Sequence, residues 1–190
     1  MEVVSKNLTN ILVKREIIKQ EDYEVYQFGI ECFIVKAFHI ISYLTLGAIF
    51  HKLWEVLIFL ITFIPLRVYA GGYHAKTPLR CYIISCSAVF TAICVMQNVP
   101  SFVMPYGIVL AVAASLILLF IIPVEAGNKP LDDIEAVYYK KKAVIMLVSV
   151  LGLATVFKLA SLNYISFIIS LSLVYELGIA LAGKALNDSN

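Results

Sequence analysis

Long apolar runs alternate with short polar stretches along the whole chain. Their lengths lie near the roughly 20 residues that an α-helix needs to cross a bilayer. The runs cover residues 30–50, 53–66, 81–99, 102–122, 143–157 and 164–181. The pattern therefore predicts an all-α integral membrane protein. We expect a single membrane domain over residues 1–190, with about six transmembrane or re-entrant helices.

The polar N-terminal residues have a different periodicity. Apolar side chains recur there at helical spacing, and lysines lie on the opposite side of the same projected helix. The apolar positions are Val4, Leu8, Ile11, Leu12 and Ile18, and the lysines are Lys6, Lys14 and Lys19. Residues 1–28 are thus predicted to form an amphipathic helix on the membrane surface. The alternative is a short helix that packs on the protein's own polar loops.

The first apolar run is the least uniform of the six. Glu31 lies near its start, and four further side chains share one helical face: Cys32, Lys36, His39 and Tyr43. Ionisable groups within a membrane usually face a protein interior or a water-filled cavity. We expect this face to line a cavity or a contact between subunits.

Composition supports the membrane assignment and argues against other classes of protein. The chain is 61% hydrophobic and 15% charged, whereas an ordinary soluble domain is about 45–50% apolar and about 25% charged. The net charge is only +2, and no basic stripe of the kind that attracts nucleic acid is present. Residues 1–28 are too polar for a cleaved signal peptide.

The distribution of basic residues predicts the sidedness. If the N-terminus is cytoplasmic and all six runs cross, 12 of the 15 Lys and Arg lie on the cytoplasmic side and two on the other. Cytoplasmic loops carry such an excess of positive charge. This orientation puts both termini, residues 67–81 and the long polar loop 124–142 on the cytoplasmic side of a multi-pass protein of the cell membrane.

Residues 67–81 form the most polar and glycine-rich island between two apolar runs. Within it, Thr77 and Pro78 predict a helix start, with Thr77 as N-cap and Pro78 at the first helical position. Cys81 would then lie in or just after the first turn of that helix. A helix N-terminus and a neighbouring cation both favour the thiolate, which is the nucleophilic form of cysteine.

His74 lies seven positions before Cys81, directly after the segment that contains Gly71 and Gly72. A cysteine with a base nearby is the pattern for covalent catalysis. The plainer interpretation is that Cys81 is a small packing residue and His74 a solvated loop histidine. The sequence alone leaves both interpretations open.

The cysteines predict neither a metal site nor a disulfide. Cys32, Cys81, Cys86 and Cys94 match no zinc or redox spacing, and a site built from His74, Cys81 and Cys86 would lack a fourth ligand. Thiols on the cytoplasmic side stay reduced. We therefore expect no metal and no cofactor, and we expect Cys86 and Cys94 to pack inside a helix.

The island resembles the signature of the accessory gene regulator protein B family (AgrB), the membrane cysteine endopeptidases that mature cyclic peptide pheromones of Gram-positive bacteria. The matching positions are Arg67, Gly71-Gly72, His74-Ala75 and Cys81. The polar loop is similar as well, through Pro123, Asn128, Lys129-Pro130 and Lys140 to Lys142. One departure is the single Arg67, where the family has more basic residues.

The resemblance implies that Cys81 is the nucleophile and His74 the general base. The substrate would be a short amphipathic peptide precursor like AgrD, cut near its C-terminal region through an acyl-enzyme thioester. A Cys or Ser inside the precursor would then close a thiolactone or lactone ring. Further expected partners are the lipid bilayer and a second copy of the chain, so that a homodimer encloses one precursor, but no nucleic acid.

Other polar residues of the two loops are candidates for supporting roles. The candidates for substrate binding are Arg67, Gly71, Gly72, Lys76, Arg80 and Lys129. The basic ones among them could hold an acidic leaving tail, or they could only follow the charge rule of membrane loops. Backbone amides at the start of the Pro78 helix could form an oxyanion hole. No third catalytic residue stands out among Ser85, Glu125, Asp132, Asp133 and Glu135.

Two functions of other classes compete with the peptidase. A small-solute transporter would suit the ionisable groups of the first run, although the chain lacks the repeated halves of many transporters. A membrane scaffold without chemistry would leave Cys81 incidental. Cys81→Ala separates these alternatives, because only the peptidase depends on the thiol.

Overall fold

The computed structural model describes residues 2–73, 75, 77–125 and 132–187, and over this part of the chain it is all-α, as predicted. The helices are α1 (Glu2–Lys14), α2 (Tyr23–Ile49), α3 (Leu53–Ala70), α4 (Pro78–Asn98), α5 (Gly107–Ile121), α6 (Asp133–Leu159) and α7 (Asn163–Asn187). Short 3-10 turns at Gln20–Asp22 and Met104–Tyr106 precede α2 and α5. Each of α2 to α7 belongs to a segment long and apolar enough to cross a membrane.

Two compact units divide the chain between Thr45 and Leu46. In the first unit, the side chains of Ser5 and Thr9 are buried, and the Thr9 hydroxyl donates a hydrogen bond to the Ser5 carbonyl at 2.8 Å. The apolar positions Val4, Leu8 and Ile11 are exposed. This is the stripe that the sequence predicts to lie against lipid.

The single amphipathic helix predicted over residues 1–28 is wrong in its extent. Helix α1 ends at Lys14, and α2 already begins at Tyr23. Between them Glu16 has a φ of 55°, in the left-handed region. A right-handed helix cannot contain that conformation, so the chain breaks there even though Ile18 continues the apolar spacing.

Helix α2 carries the mixed face that the sequence singles out. The predicted positions Cys32, Lys36, His39 and Tyr43 all lie within it. The Tyr43 hydroxyl is 3.3 Å from the His39 Nδ1, and their rings meet edge to face. A role of this face in a cavity or a subunit contact stays a prediction.

The second unit is a helical bundle around α7. Of the membrane-length window of α7, 56% is buried, against at most 33% in the other five spans. Small residues lie where α3, α5, α6 and α7 meet, namely Ala70, Ala111, Ala114, Ala143, Ala154 and Ala180. Helices in membranes associate through such close backbone packing, because apolar surface gains little by leaving lipid.

Two helix boundaries near the polar loops differ from the predictions. Helix α3 continues through Pro65 to Ala70, one turn beyond the predicted end at Leu66, and ends where Gly71 takes a positive φ. Helix α6 begins at Asp133, so that the predicted loop 124–142 is helical in its second half. The Asp132 carboxylate accepts a hydrogen bond from the Glu135 amide at 2.6 Å and caps this earlier start.

Polar contacts define the two ends of the bundle. At one end Lys52, Glu55 and Tyr164 form a hydrogen-bonded cluster between the starts of α3 and α7. At the other end the Tyr69 ring, in the last turn of α3, lies 6.3 Å from the Tyr139 ring near the start of α6. The second end carries residues 71–73 and the segment that follows α5.

Candidate functional site

The last turn of α3 leads directly into the candidate site. Gly71 ends the helix with a φ of 76°, and its amide donates to the Arg67 carbonyl at 3.3 Å. Gly72 follows with a φ of 125°. Residues with a side chain rarely adopt such angles, so glycine at both positions turns the chain out of the helix.

A short parallel bridge joins this turn to the segment after α5. The Val124 amide donates to the Ala70 carbonyl at 2.8 Å, and the Gly72 amide donates to the Val124 carbonyl at 3.2 Å. A β-carbon on Gly71 would collide with the Val124 carbonyl oxygen. The close approach therefore requires glycine at position 71.

The Arg67 side chain holds the same turn from the other side. Its guanidinium donates one hydrogen bond to the Gly71 carbonyl and a second, of 2.6 Å, to the Tyr73 carbonyl. Hydrogen bonds from a charged donor are stronger than neutral ones. Arg67 thus fixes the backbone up to the residue that precedes His74.

Helix α7 supplies the third contact with the turn. The Tyr73 amide donates to the Ile179 carbonyl at 3.2 Å. One turn further along α7, Gly183 lies against the backbone of Gly72 and Tyr73. Residues 71–73 are therefore held by α3, by the Val124 segment and by α7.

Glu176 lies on the same face of α7, three residues before Ile179. Its side chain is completely buried, and neither carboxylate oxygen has a hydrogen-bond partner among the described residues. It interacts electrostatically with the Arg67 guanidinium. An acidic side chain is thus enclosed directly beneath the turn that leads to His74.

The start of α4 carries Cys81, and it has the predicted geometry. Thr77 is the N-cap, with its hydroxyl accepting from the Arg80 amide at 3.4 Å, and Pro78 occupies the first helical position. Cys81 is half-buried, its thiol is free, and it lies within electrostatic reach of Arg67. The structure therefore brings Arg67, Glu176 and Cys81 into one electrostatic cluster.

The hydrogen bonds of this helix start narrow the choice of oxyanion donors. Pro78 has no amide hydrogen. The Arg80 amide is bound by the Thr77 hydroxyl, and the Cys81 amide donates to the Thr77 carbonyl at 3.1 Å. Of the first-turn amides before Cys81, the Leu79 amide is therefore the one left for a substrate.

Three of the predicted site residues, His74, Lys76 and Lys129, lie outside the described residues. Among the others, Arg67, Gly71 and Gly72 hold the turn together, whereas the Arg80 side chain is exposed. Asp132 caps α6, Glu125 is exposed next to the Val124 bridge, and Ser85 is half-buried in α4. Within the described ranges, no group of three His, Cys, Asp or Glu side chains could hold a metal ion.

Glu176 is the residue of the cluster that the sequence analysis missed. It is the single charged residue in the apolar run 164–181. An ionisable side chain at such a position marks a functional site by default, and this signal could have identified it. Its relation to Arg67, more than a hundred residues earlier in the chain, could only come from the fold.

Comparison with known proteins covers the same elements. The family model of accessory gene regulator B matches residues 5–180. An AgrB-like protein 2 of Clostridium perfringens is 28% identical over 159 residues, which are 79% of this chain and 73% of that protein. An accessory gene regulator protein B of Staphylococcus carnosus is 28% identical over 178 residues, 92% of this chain and 85% of that protein. No solved structure is significantly similar.

Proposed function

Since the chain belongs to the accessory gene regulator B family, we propose that it is a membrane cysteine endopeptidase that processes a short quorum-sensing pheromone precursor. Family membership supports a role in processing accessory gene regulator peptides. The observation that carries the chemistry is the position of Cys81, half-buried in the first turn of the capped helix α4 and within the electrostatic reach of Arg67.

In the proposed reaction Cys81 is the nucleophile and His74 the general base. The thiolate attacks the carbonyl carbon of the scissile peptide bond. The carbon–nitrogen bond then breaks, and the protonated His74 gives its proton to the leaving amine. The N-terminal part of the precursor stays on Cys81 as a thioester, and the C-terminal tail is released.

A thiol or hydroxyl inside the bound peptide then attacks the thioester carbonyl. His74, now neutral, takes the proton of that thiol or hydroxyl, the thiolactone or lactone ring closes, and Cys81 leaves as the thiolate, which restores the starting state of the pair. The tethered nucleophile has a high effective concentration, and the half-buried position of Cys81 limits competition from water. The Leu79 amide is the described donor best placed to stabilise the oxyanion of each step.

Basic side chains around the site are proposed to hold the acidic tail of the precursor. Arg67 already donates to two backbone carbonyls, so we assign its main role to shaping the turn. Among the described basic residues, the exposed Arg80 side chain is the better candidate for binding the acidic tail. Lys76 and Lys129 complete the proposed basic set.

The site is proposed to face the cytoplasm. The argument is the charge distribution, since the loops at this end of the bundle carry most of the Lys and Arg. Helix α3 ends, α4 begins and α7 approaches its end here, so the C-terminal end of α7 lies on the same side. A membrane-bound precursor made in the cytoplasm would reach Cys81 from that side.

The test is co-expression with a short AgrD-like precursor peptide, followed by mass spectrometry of that precursor. Wild type should cleave it, and Cys81→Ala and His74→Ala should not, at unchanged protein level in the membrane. Cys86→Ala is the matched control, a half-buried free thiol five residues further along α4. If Cys81→Ala still cleaved the precursor, the proposed mechanism would be wrong, and a transporter or a scaffold would be the better interpretation.

A further inference from the structure

Glu176 is an acidic residue whose side chain is fully buried. The surrounding residues must compensate the energetic cost of a charge at that position. It lies within a membrane-spanning helix, its side chain is 0% exposed, and both of its carboxylate oxygens lack hydrogen-bond partners among the residues that the structure describes. An ionised carboxylate in an apolar interior is strongly unfavourable unless a cation compensates it. Arg67 is the described cation on this side of α7, because a β-carbon on Gly72 would meet the Arg67 Nη1 at 2.5 Å and the Ile179 carbonyl oxygen at 3.1 Å.

The geometry of α7 links Glu176 to the turn before His74. Residues three, four and seven positions apart lie on the same face of a helix. Ile179, Ala180 and Gly183 follow Glu176 at these spacings. Ile179 accepts the hydrogen bond of the Tyr73 amide, Ala180 is fully buried, and Gly183 packs on Gly72 and Tyr73. Glu176 therefore belongs to the α7 face that supports the turn.

Arg67 connects Glu176 to the reacting groups. The same guanidinium donates to the carbonyls of Gly71 and Tyr73 and lies within electrostatic reach of Cys81. If Glu176 were replaced by a neutral residue, its carboxylate would no longer attract the Arg67 guanidinium. The Cys81 thiolate would then be the remaining negative charge nearby, and Arg67 would move toward it. That movement would release the Tyr73 carbonyl and shift the backbone next to His74.

We propose that Glu176 is a positioning residue, whose buried carboxylate holds Arg67 against the Gly71–Tyr73 turn and so fixes the backbone directly before His74. The inference rests on the proposed peptidase function. Its effect is on the chemical step, because Glu176 is enclosed and contacts no solvent from which a substrate could approach. Arg67 is the intermediate through which it acts.

The first experiment measures kcat and KM for precursor cleavage by full-length protein in lipid vesicles. For Glu176→Gln, we expect kcat to fall by up to about 100-fold with KM little changed, since a misplacement of about 1 Å can have that effect. Glu176→Asp keeps the charge and should recover part of the loss. Ser170→Ala is the matched control, because Ser170 is also buried in α7 without a described hydrogen-bond partner for its hydroxyl; it should retain the wild-type kcat.

A double-mutant cycle tests whether Glu176 acts through Arg67. In an Arg67→Lys background, Glu176→Gln should lower kcat much less than it does in wild type, since interacting residues are not additive. Equal losses in both backgrounds would overturn the proposal. A wild-type kcat for Glu176→Gln would do the same, and so would Glu176→Asp as impaired as Glu176→Gln at normal protein level.

If Glu176→Gln does not accumulate in the membrane, a double variant can still test the proposal. Arg67→Gln with Glu176→Gln removes both charges together, so no buried charge is left uncompensated. Cleavage equal to that of Arg67→Gln alone supports the positioning role, because Glu176 then has no effect without Arg67, whereas a further loss of cleavage overturns it. Loss of cleavage in Cys81→Ala separates this inference from the peptidase function, which fails only if Cys81→Ala still cleaves.

Discussion

Gly183 packs so closely on Gly72 that no side chain at position 183 would fit into the contact. A β-carbon on Gly183 would lie 2.5 Å from the carbonyl carbon of Gly72 and 2.8 Å from its Cα. Real contacts of a β-carbon with backbone are never that short, so any larger residue must push the Gly71–Tyr73 turn away from α7. The contact therefore sets how closely the turn approaches Glu176.

Gly183→Ala should abolish most of the cleavage. Overpacking at a tight contact costs roughly 1–3 kcal/mol, and here the strain falls on the backbone next to His74. The measurement is precursor cleavage per molecule, with protein level and thermal stability determined in the same membranes. Gly178→Ala is the control in the same helix, since a β-carbon there meets nothing within 4 Å. Full cleavage by Gly183→Ala would show that the turn tolerates displacement.

The N-cap of α4 should control the reactivity of Cys81. Thr77→Ala removes the hydroxyl that binds the Arg80 amide, which destabilises a helix start by about 1 kcal/mol. The first turn then frays, and the favourable field of the helix N-terminus on the thiolate weakens. We expect slower alkylation of Cys81 by iodoacetamide, followed by mass spectrometry of the Cys81 peptide, and slower cleavage of the precursor.

Thr77→Ser is the matched control for the cap, because it keeps a hydroxyl at the same position and should react like wild type. Alkylation of Cys86, five residues further along the same helix, reports general loosening of α4. An unchanged alkylation rate of Cys81 in Thr77→Ala would contradict a role of the cap in activating the thiol.

Arg80 should act in substrate binding and not in the chemical step. For Arg80→Glu we expect KM to rise by up to about 30-fold with kcat retained, since an exposed ion pair is worth up to about 1 kcal/mol and reversal adds a repulsion of similar size. Arg80→Lys keeps the charge and should stay close to wild type. A precursor whose tail acids are replaced by amides should lose this sensitivity. If protein level and activity fell in parallel, Arg80 would serve only the orientation of the protein in the membrane, as one of the basic residues of its cytoplasmic loops.

The opposite end of the bundle should affect stability without affecting cleavage. Lys52 donates hydrogen bonds to Glu55 at 2.9 Å and to the Tyr164 hydroxyl at 3.0 Å, which ties α3 to α7. Removing these bonds with Lys52→Met should lower the free energy of unfolding by up to about 1 kcal/mol. Tyr164→Phe should have a similar effect. Cleavage per folded molecule should stay at the wild-type level, and a large loss would mean that the two ends are coupled.

The same cluster predicts a dependence of stability on alkaline pH. The hydrogen bond with the Tyr164 hydroxyl, together with Glu55, raises the pKa of Lys52 above its usual value. The folded state therefore holds this proton more tightly than the unfolded state. The stabilisation is complete below the unfolded pKa of about 10.4 and is lost as the pH rises through the folded pKa. The decline in Tm above that pH should be shallower in Lys52→Met.

The sequence predicted the helical class, the number of membrane-length segments and the helix start at Thr77-Pro78. These features depend on local signals, namely apolar run length, an N-cap and a proline at the first helical position. It misplaced the start of α6 because the run Asp132 to Lys142 reads as a polar loop. Asp132 caps a helix there, and apolar residues lie between the charged ones. Helix α6 therefore begins about ten residues before the apolar run that starts at residue 143.

The arrangement of the candidate site could not be predicted from local signals. The turn at Gly71 and Gly72 is fixed by Val124, Ile179 and Gly183, which are remote from it in sequence. Arg67 was predicted to meet the substrate, whereas its described hydrogen bonds go to the backbone of its own turn. Glu176 could be noticed in the sequence as the single charged residue of an apolar run. Its proximity to Arg67 could not, because Arg67 lies in another helix.

The three supports of the Gly71–Tyr73 turn also set the order in which the site can form during synthesis. Helix α3 leaves the ribosome first, the Val124 segment follows, and Ile179 and Gly183 are among the last described residues to be made. A nascent chain therefore carries Cys81 long before the backbone around it has its final supports. The thiol is thus present from early in translation, but the complete set of contacts that shape its surroundings assembles only when α7 has entered the bilayer.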